Sequence, residues 1–246
     1  MKVLFYGNSF SVDASRYLHG ISRAAGNEIS VGNLCYPGCS LFQHYTFLLS
    51  GEAKYEYFYD GFSTKIFLPS QQALLSDDWD VVVLQESSRK AGTFDTYQPY
   101  LGELAAHIRR CRPRAKLAYH MSWTYPKGSR IFDQTPFSGP EEMFPGVVAT
   151  AEWAAEEMGA DLLVPSGKAM YRLCAEAGEE AYRDSFHCNK GQSRYMLGLL
   201  WYMALTGRSA ESDFFRDFDV PVTEEQAARA RRIAVETARE AGFLTE

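Results

Sequence analysis

Two short clusters, far apart in the chain, carry the groups best suited to chemistry. Ser9 lies in Gly7-Asn8-Ser9-Phe10-Ser11, directly after the apolar run Val3 to Tyr6 and before a segment of helical period. A hydroxyl at such a strand end faces the N–H groups of a helix start, where ligands of open α/β sheets sit. Capping of that helix by Ser9 or Ser11 is the competing role. Near the other end, Asp184 and His187 stand three residues apart in Arg183-Asp184-Ser185-Phe186-His187-Cys188-Asn189. In a turn, that spacing lets a carboxylate reach Nδ1 and leaves Nε2 free to take a hydroxyl proton. Hydroxyl, base and orienting acid together would perform nucleophilic acyl transfer.

The elements that must bring these clusters together follow an alternating pattern. Strands are expected at Val3 to Tyr6, Glu28 to Leu34, Asp80 to Gln85, Lys116 to Met121 and Asp161 to Pro165. Val81-Val82-Val83-Leu84 is apolar without alternation, as a central parallel strand covered on both faces requires. Helices are expected at about Asp13 to Ala25, Pro99 to Cys111, Glu141 to Met158, Lys168 to Ala177, Gly191 to Thr206 and Thr223 to Ala241. Thr223 with Gln226 forms a capping box, and the spacing of Ala227, Ala230, Ile233, Ala234 and Ala238 marks a packing helix. The pattern predicts a three-layer α/β/α fold around a mostly parallel, five-stranded, flavodoxin-like sheet, in one domain over residues 1–246. Residues 51–70, rich in Tyr and Phe, and 124–140, rich in Pro, Gly and Ser, read as excursions from the sheet of the kind that serve as binding loops or lids, with a satellite hydrophobic cluster under a loop the equal alternative for the aromatics.

The combined motifs resemble the SGNH (GDSL-like) hydrolases. The resemblance rests on Gly7 to Ser11, on Asn33-Leu34-Cys35-Tyr36-Pro37-Gly38-Cys39-Ser40 after the second strand, and on Asp184 to His187, in matching order and separation. It implies Ser9 as nucleophile, His187 as base and Asp184 as acid, with the backbone amides of Ser9 and Gly38 facing the oxyanion. Two positions depart from the family pattern. Asn8 stands where Asp is usual, and Leu84-Gln85-Glu86-Ser87-Ser88-Arg89 replaces the Gly-x-Asn-Asp block. Gln85 is the expected third oxyanion donor, since similar Gln-containing blocks occur in sugar-ester branches of the superfamily, with Ser88 the lesser candidate. A structural Gln at a strand end is the alternative. His120, Trp123, Tyr36 and Ser88 are candidates for lining the cleft; for His120, a satisfied buried histidine is the other reading. The Gly-x-Ser-x-Gly elbow of α/β-hydrolases is absent from the sequence.

Composition bounds the partners. A net charge of −6 without a long Lys/Arg block argues against nucleic-acid or anionic-membrane binding. No apolar run approaches the roughly 20 residues needed to span a bilayer. The start at Lys2-Val3-Leu4 reads as a strand rather than a signal peptide, so a cytoplasmic location is expected. Cys35, Cys39, Cys111, Cys174 and Cys188 are an odd, scattered set that points to reduced thiols and away from zinc. The resemblance requires no metal or organic cofactor and implies a small-molecule or oligosaccharide ester substrate, with acetyl esters of carbohydrates foremost. A non-catalytic carbohydrate or small-ligand binding domain on the same fold is the alternative. A flavodoxin-like cofactor protein is a third reading, but it leaves Asp184 and His187 without a role.

Overall fold

The computed structural model describes residues 1–210 and 215–244. Its strands are β1 (Lys2–Gly7), β2 (Ser30–Cys35), β3 (Tyr55–Tyr59), β4 (Phe62–Leu68), β5 (Val81–Leu84), β6 (Lys116–His120) and β7 (Leu162–Val164). They form one sheet in the order β4-β3-β2-β1-β5-β6-β7. The five expected strands are its parallel body, and their order, 2-1-3-4-5 among themselves, is the flavodoxin-like one.

The sheet has seven strands rather than five because residues 51–70 extend it instead of leaving it. β3 pairs antiparallel with β2, and β4 with β3. Asp60 and Gly61 join the hairpin with φ of 49° and 87°, the two left-handed residues of a tight hairpin turn. Asp-Gly between two aromatic runs is the local signal for this hairpin. Residues 124–140 do lie outside the sheet and contain a 3-10 turn, Arg130–Gln134.

The helices are α1 (Ser9–Ser15), α2 (Leu18–Ala24), α3 (Leu41–Ser50), α4 (Ser70–Leu75), α5 (Tyr100–Cys111), α6 (Pro140–Glu157), α7 (Ser166–Ala177), α8 (Gln192–Thr206) and α9 (Glu224–Glu240). The first predicted helix is two, and it begins at Ser9, four residues before the expected Asp13. Asn8 starts it with a capping box closed by Ser11. A second unpredicted start, α3, uses Ser40 and Gln43 in the same way and stops at Gly51 in the left-handed region.

Two consecutive residues of β1 define the layers, since strand side chains alternate between faces. Phe5 meets the edge of Trp201 on α8, with ring centroids 4.8 Å apart. Tyr6 points the other way, donating from its hydroxyl to the Ser70 carbonyl of α4 at 3.3 Å and facing His44 of α3. The protein therefore has a three-layer α/β/α fold with a mostly parallel central sheet. α8 is buried over most of its length, with Tyr195 to Trp201 at the centre of its layer. No helix among the described residues is long and apolar enough to cross a membrane.

Candidate active site

The site forms where the carboxyl ends of β1, β2 and β5 meet, because β1 is the point at which successive crossovers turn to opposite sides of the sheet. Gly7 ends β1, and a Cβ there would overlap the Ser11 side chain. Without one, Ser11 Oγ tucks in to donate to Asn8 O at 2.8 Å and to accept from Asn8 N at 3.1 Å. This tight cap sets Ser9 at the first position of α1. An amide at that position has no acceptor within the helix and is free to face a ligand.

Residues 182–188 form the opposing wall. A Tyr182–Cys188 bridge and the bond from Arg183 N to His187 O at 3.0 Å close a narrow turn. Asp184 Oδ1 accepts from the amides of Phe186 at 2.9 Å and His187 at 2.7 Å. Its Oδ2 lies 2.8 Å from His187 Nδ1, and His187 Nε2 lies 2.9 Å from Ser9 Oγ. Partial burial alone would raise the Asp184 carboxyl, but the two amide bonds and the imidazole contact together hold it below the ordinary carboxylate value. An ionised Asp184 holds the proton of His187 on Nδ1 and leaves the Nε2 lone pair facing the hydroxyl.

Aromatic packing fixes the approach of the two walls. Phe10, next to Ser9, stacks on Trp123 with centroids 4.0 Å apart, and Phe186 packs on the His187 ring at 3.9 Å. Trp123 Nε1 also donates to the Phe186 carbonyl at 3.1 Å, and Ser129 Oγ donates to the Ser185 carbonyl at 2.6 Å. Neither Trp123 nor Ser129 carries a sequence signal for this role, since both act through contacts more than fifty residues away in the chain.

Gly38 has φ of 65°, a left-handed conformation that favours glycine. The turn around it is closed by Cys39 N donating to Tyr36 O, so the Gly38 amide is not consumed by the turn. The guanidinium of Arg89 borders the same spot: its Nη1 would lie 3.6 Å from a Cβ built on Gly38.

Gln85, the expected third donor, is engaged on both sides of its amide. It is fully buried; its Nε2 donates to Asn8 Oδ1 at 2.8 Å, and its Oε1 accepts from His120 Nδ1 at 2.7 Å. Asn8 in turn donates from Nδ2 to the Cys39 carbonyl at 3.0 Å. The two departures from the SGNH-like motifs, Asn8 and Gln85, are thus bonded to each other, and they tie together the loops after β1, β2 and β5. Of the expected cleft residues, His120 and Trp123 are buried and contribute no open surface. Burial pushes the His120 imidazole down to about 3, so the ring is neutral. Ser88 accepts at its hydroxyl from Tyr125 at 2.9 Å, and half-buried Tyr36 leans on Phe47. Among the described residues no cluster of three or more His, Cys, Asp or Glu side chains is arranged to hold a metal ion, and the five cysteines are unpaired.

Known proteins match this arrangement in fold. A family model described as "Domain of unknown function (DUF4886)" matches residues 2–238, so the chain belongs to the DUF4886 family. A DUF4886 family protein from Bacteroides uniformis ATCC 8492 is 28% identical and superposes with a TM-score of 0.88 over 100% of this chain and 97% of its own. A "putative SGNH hydrolase" from Slackia heliotrinireducens is 22% identical, with a TM-score of 0.60 over 83% of this chain and 98% of its own. A "putative GDSL-like lipase" from Parabacteroides merdae ATCC 43184 is 13% identical, with a TM-score of 0.51 over 98% and 95%. No curated protein matches the chain significantly.

Proposed function

We propose that this DUF4886 family member is a serine hydrolase of the SGNH type that cleaves small acyl esters through an acyl-enzyme. One observation carries the reading: Ser9 Oγ, His187 Nε2, His187 Nδ1 and Asp184 Oδ2 form a continuous relay with links of 2.9 and 2.8 Å. Pure ligand binding does not need that relay.

In the proposed reaction, His187 removes the Ser9 proton as Oγ attacks the ester carbonyl. The amides of Ser9 and Gly38 hold the resulting oxyanion, each the kind of preorganised donor that lowers such a barrier by about 3 kcal/mol. His187 Nε2 then gives the proton to the leaving alcohol and the acyl group stays on Ser9. Water, deprotonated by the same nitrogen, attacks the acyl carbon; the acid leaves as Ser9 Oγ takes that proton back from Nε2, while Asp184 stays ionised and stabilises the transient imidazolium. The acyl group is small, with acetyl esters of carbohydrates the first class to try; the family resemblance of the motifs supports this choice.

Purified wild type and Ser9→Ala, assayed on acetylated sugars and on aryl acetates of increasing acyl length, test the reading. Hydrolysis by wild type, labelling of Ser9 by a fluorophosphonate, and loss of both in Ser9→Ala are expected. Undiminished turnover in Ser9→Ala would remove the mechanism, and an unlabelled Ser9 that still accompanies sugar binding would favour a binding domain.

A further inference from the structure

The proposed nucleophile and its base sit on separate segments, and a buried ion cluster joins them. Ser9 opens α1, and Asp13 follows one turn later on the same side of the helix. The Asp13 side chain is only 1% exposed and receives two guanidinium groups. Arg194 of α8 donates to Oδ1 from Nε at 2.9 Å and Nη2 at 2.6 Å. Arg183 Nη1 contacts Oδ1 at 2.9 Å and Oδ2 at 2.8 Å.

Arg183 immediately precedes Asp184, and the same Nη1 donates to the carbonyl of Cys188, the residue after His187, at 2.7 Å. One nitrogen therefore touches the helix that carries the hydroxyl and the backbone that closes the acid–base turn. An exposed ion pair would exert little force on geometry. This one is anchored on a buried carboxylate that Arg194 also holds, and Arg194 is fastened in turn to Asp219 at 2.6 Å, so the anchor does not drift.

We infer that Arg183 is a positioning residue for the reaction proposed above: through Asp13 it sets the separation between the Ser9 hydroxyl and the His187 imidazole. It touches neither of those two groups itself. The inference rests on the hydrolase reading, and it makes Arg183 matter for turnover rather than for substrate affinity.

Arg183→Ala and Arg183→Lys separate this from a structural role. Removing Arg183 leaves Asp13 paired with Arg194, so no buried charge is stranded. Misplacing a catalytic group by about 1 Å costs up to roughly 100-fold in rate. For Arg183→Ala we expect kcat on an aryl acetate to fall by about 10- to 100-fold, with KM within about twofold and fluorophosphonate labelling of Ser9 slowed in parallel. Arg183→Lys should recover part of the loss, because an ammonium retains the charge without the rigid fork. Unchanged kcat in both variants, or a rise in KM at constant kcat, would overturn the inference. So would a loss of activity that matches, in both variants, the fraction of unfolded protein measured by circular dichroism. Ser9→Ala run beside them keeps the two ideas apart. Hydrolysis that depends on Ser9 but not on Arg183 removes this inference alone, whereas hydrolysis retained in Ser9→Ala removes the reading beneath it.

Discussion

Gln85 Nε2 lies 2.8 Å from Asn8 Oδ1, so the two residues that depart from the SGNH-like motifs are bonded to each other. An aspartate at position 8 could accept from Gln85 but could not donate to the Cys39 carbonyl, as Asn8 does. The pair holds the Ser9 and Gly38 loops together from beneath.

This relationship predicts how Gln85 variants behave. Gln85→Leu removes one of two donors to Asn8 Oδ1, which keeps the Phe10 amide, and leaves buried His120 Nδ1 without an acceptor, at a cost of about 1–3 kcal/mol for that unsatisfied group. Urea denaturation should register that loss, with a smaller drop in kcat. A 100-fold or greater fall in kcat at unchanged stability would instead mark Gln85 as a direct oxyanion donor.

Asp184→Asn keeps an oxygen for the Phe186 and His187 amides, and so preserves the turn, but it removes the carboxylate facing Nδ1. Turnover should fall by as much as about 10⁴-fold while the fold persists. Because the Asp184 carboxyl lies below the ordinary value, its protonation should not limit wild-type activity until the pH drops beneath the usual carboxylate range. A variant with near-normal kcat would deny Asp184 its part.

Trp123→Phe retains a ring against Phe10 and loses the indole N–H to the Phe186 carbonyl. About 1 kcal/mol of stability should go, and kcat should fall with KM nearly constant. A selective rise in KM for sugar esters would restore Trp123 as a substrate platform.

Acid sensitivity should come from two buried imidazoles. Burial pushes His44 and His120 down to about 3, so both are neutral in the folded chain at pH values where the unfolded chain protonates them. The stability they provide is full above about pH 6.5 and is lost as pH falls toward 3, each at about 1.4 kcal/mol per pH unit. Glu86, pushed up to about 7 by burial against bonds from the Ser87 and Leu41 amides, slopes the opposite way between its ordinary value and 7. Comparing His44→Gln with wild type cancels that contribution. Denaturation at pH 7.5, 6 and 5 should give a flatter profile for the variant, and parallel profiles would contradict the assignment.

The acid–base turn is legible in the sequence because its geometry is local: Asp184 and His187 lie within one turn, closed by contacts between residues four and six positions apart. The five parallel strands were legible for the same reason, since an apolar run reports its own burial. The Asp60-Gly61 signal is equally local, but the aromatic richness around it has the composition of a binding loop and masks β3 and β4. Other features belonged to tertiary structure alone. Nothing near Gln85 in the chain says that its amide meets Asn8, 77 positions away, and nothing near Trp123 announces Phe10 or near Arg183 announces Asp13. Residue type limits what a side chain can donate or accept. Which partner it receives, and whether that leaves a group facing the cleft or spent in the core, is decided by the packing of segments that the chain keeps far apart.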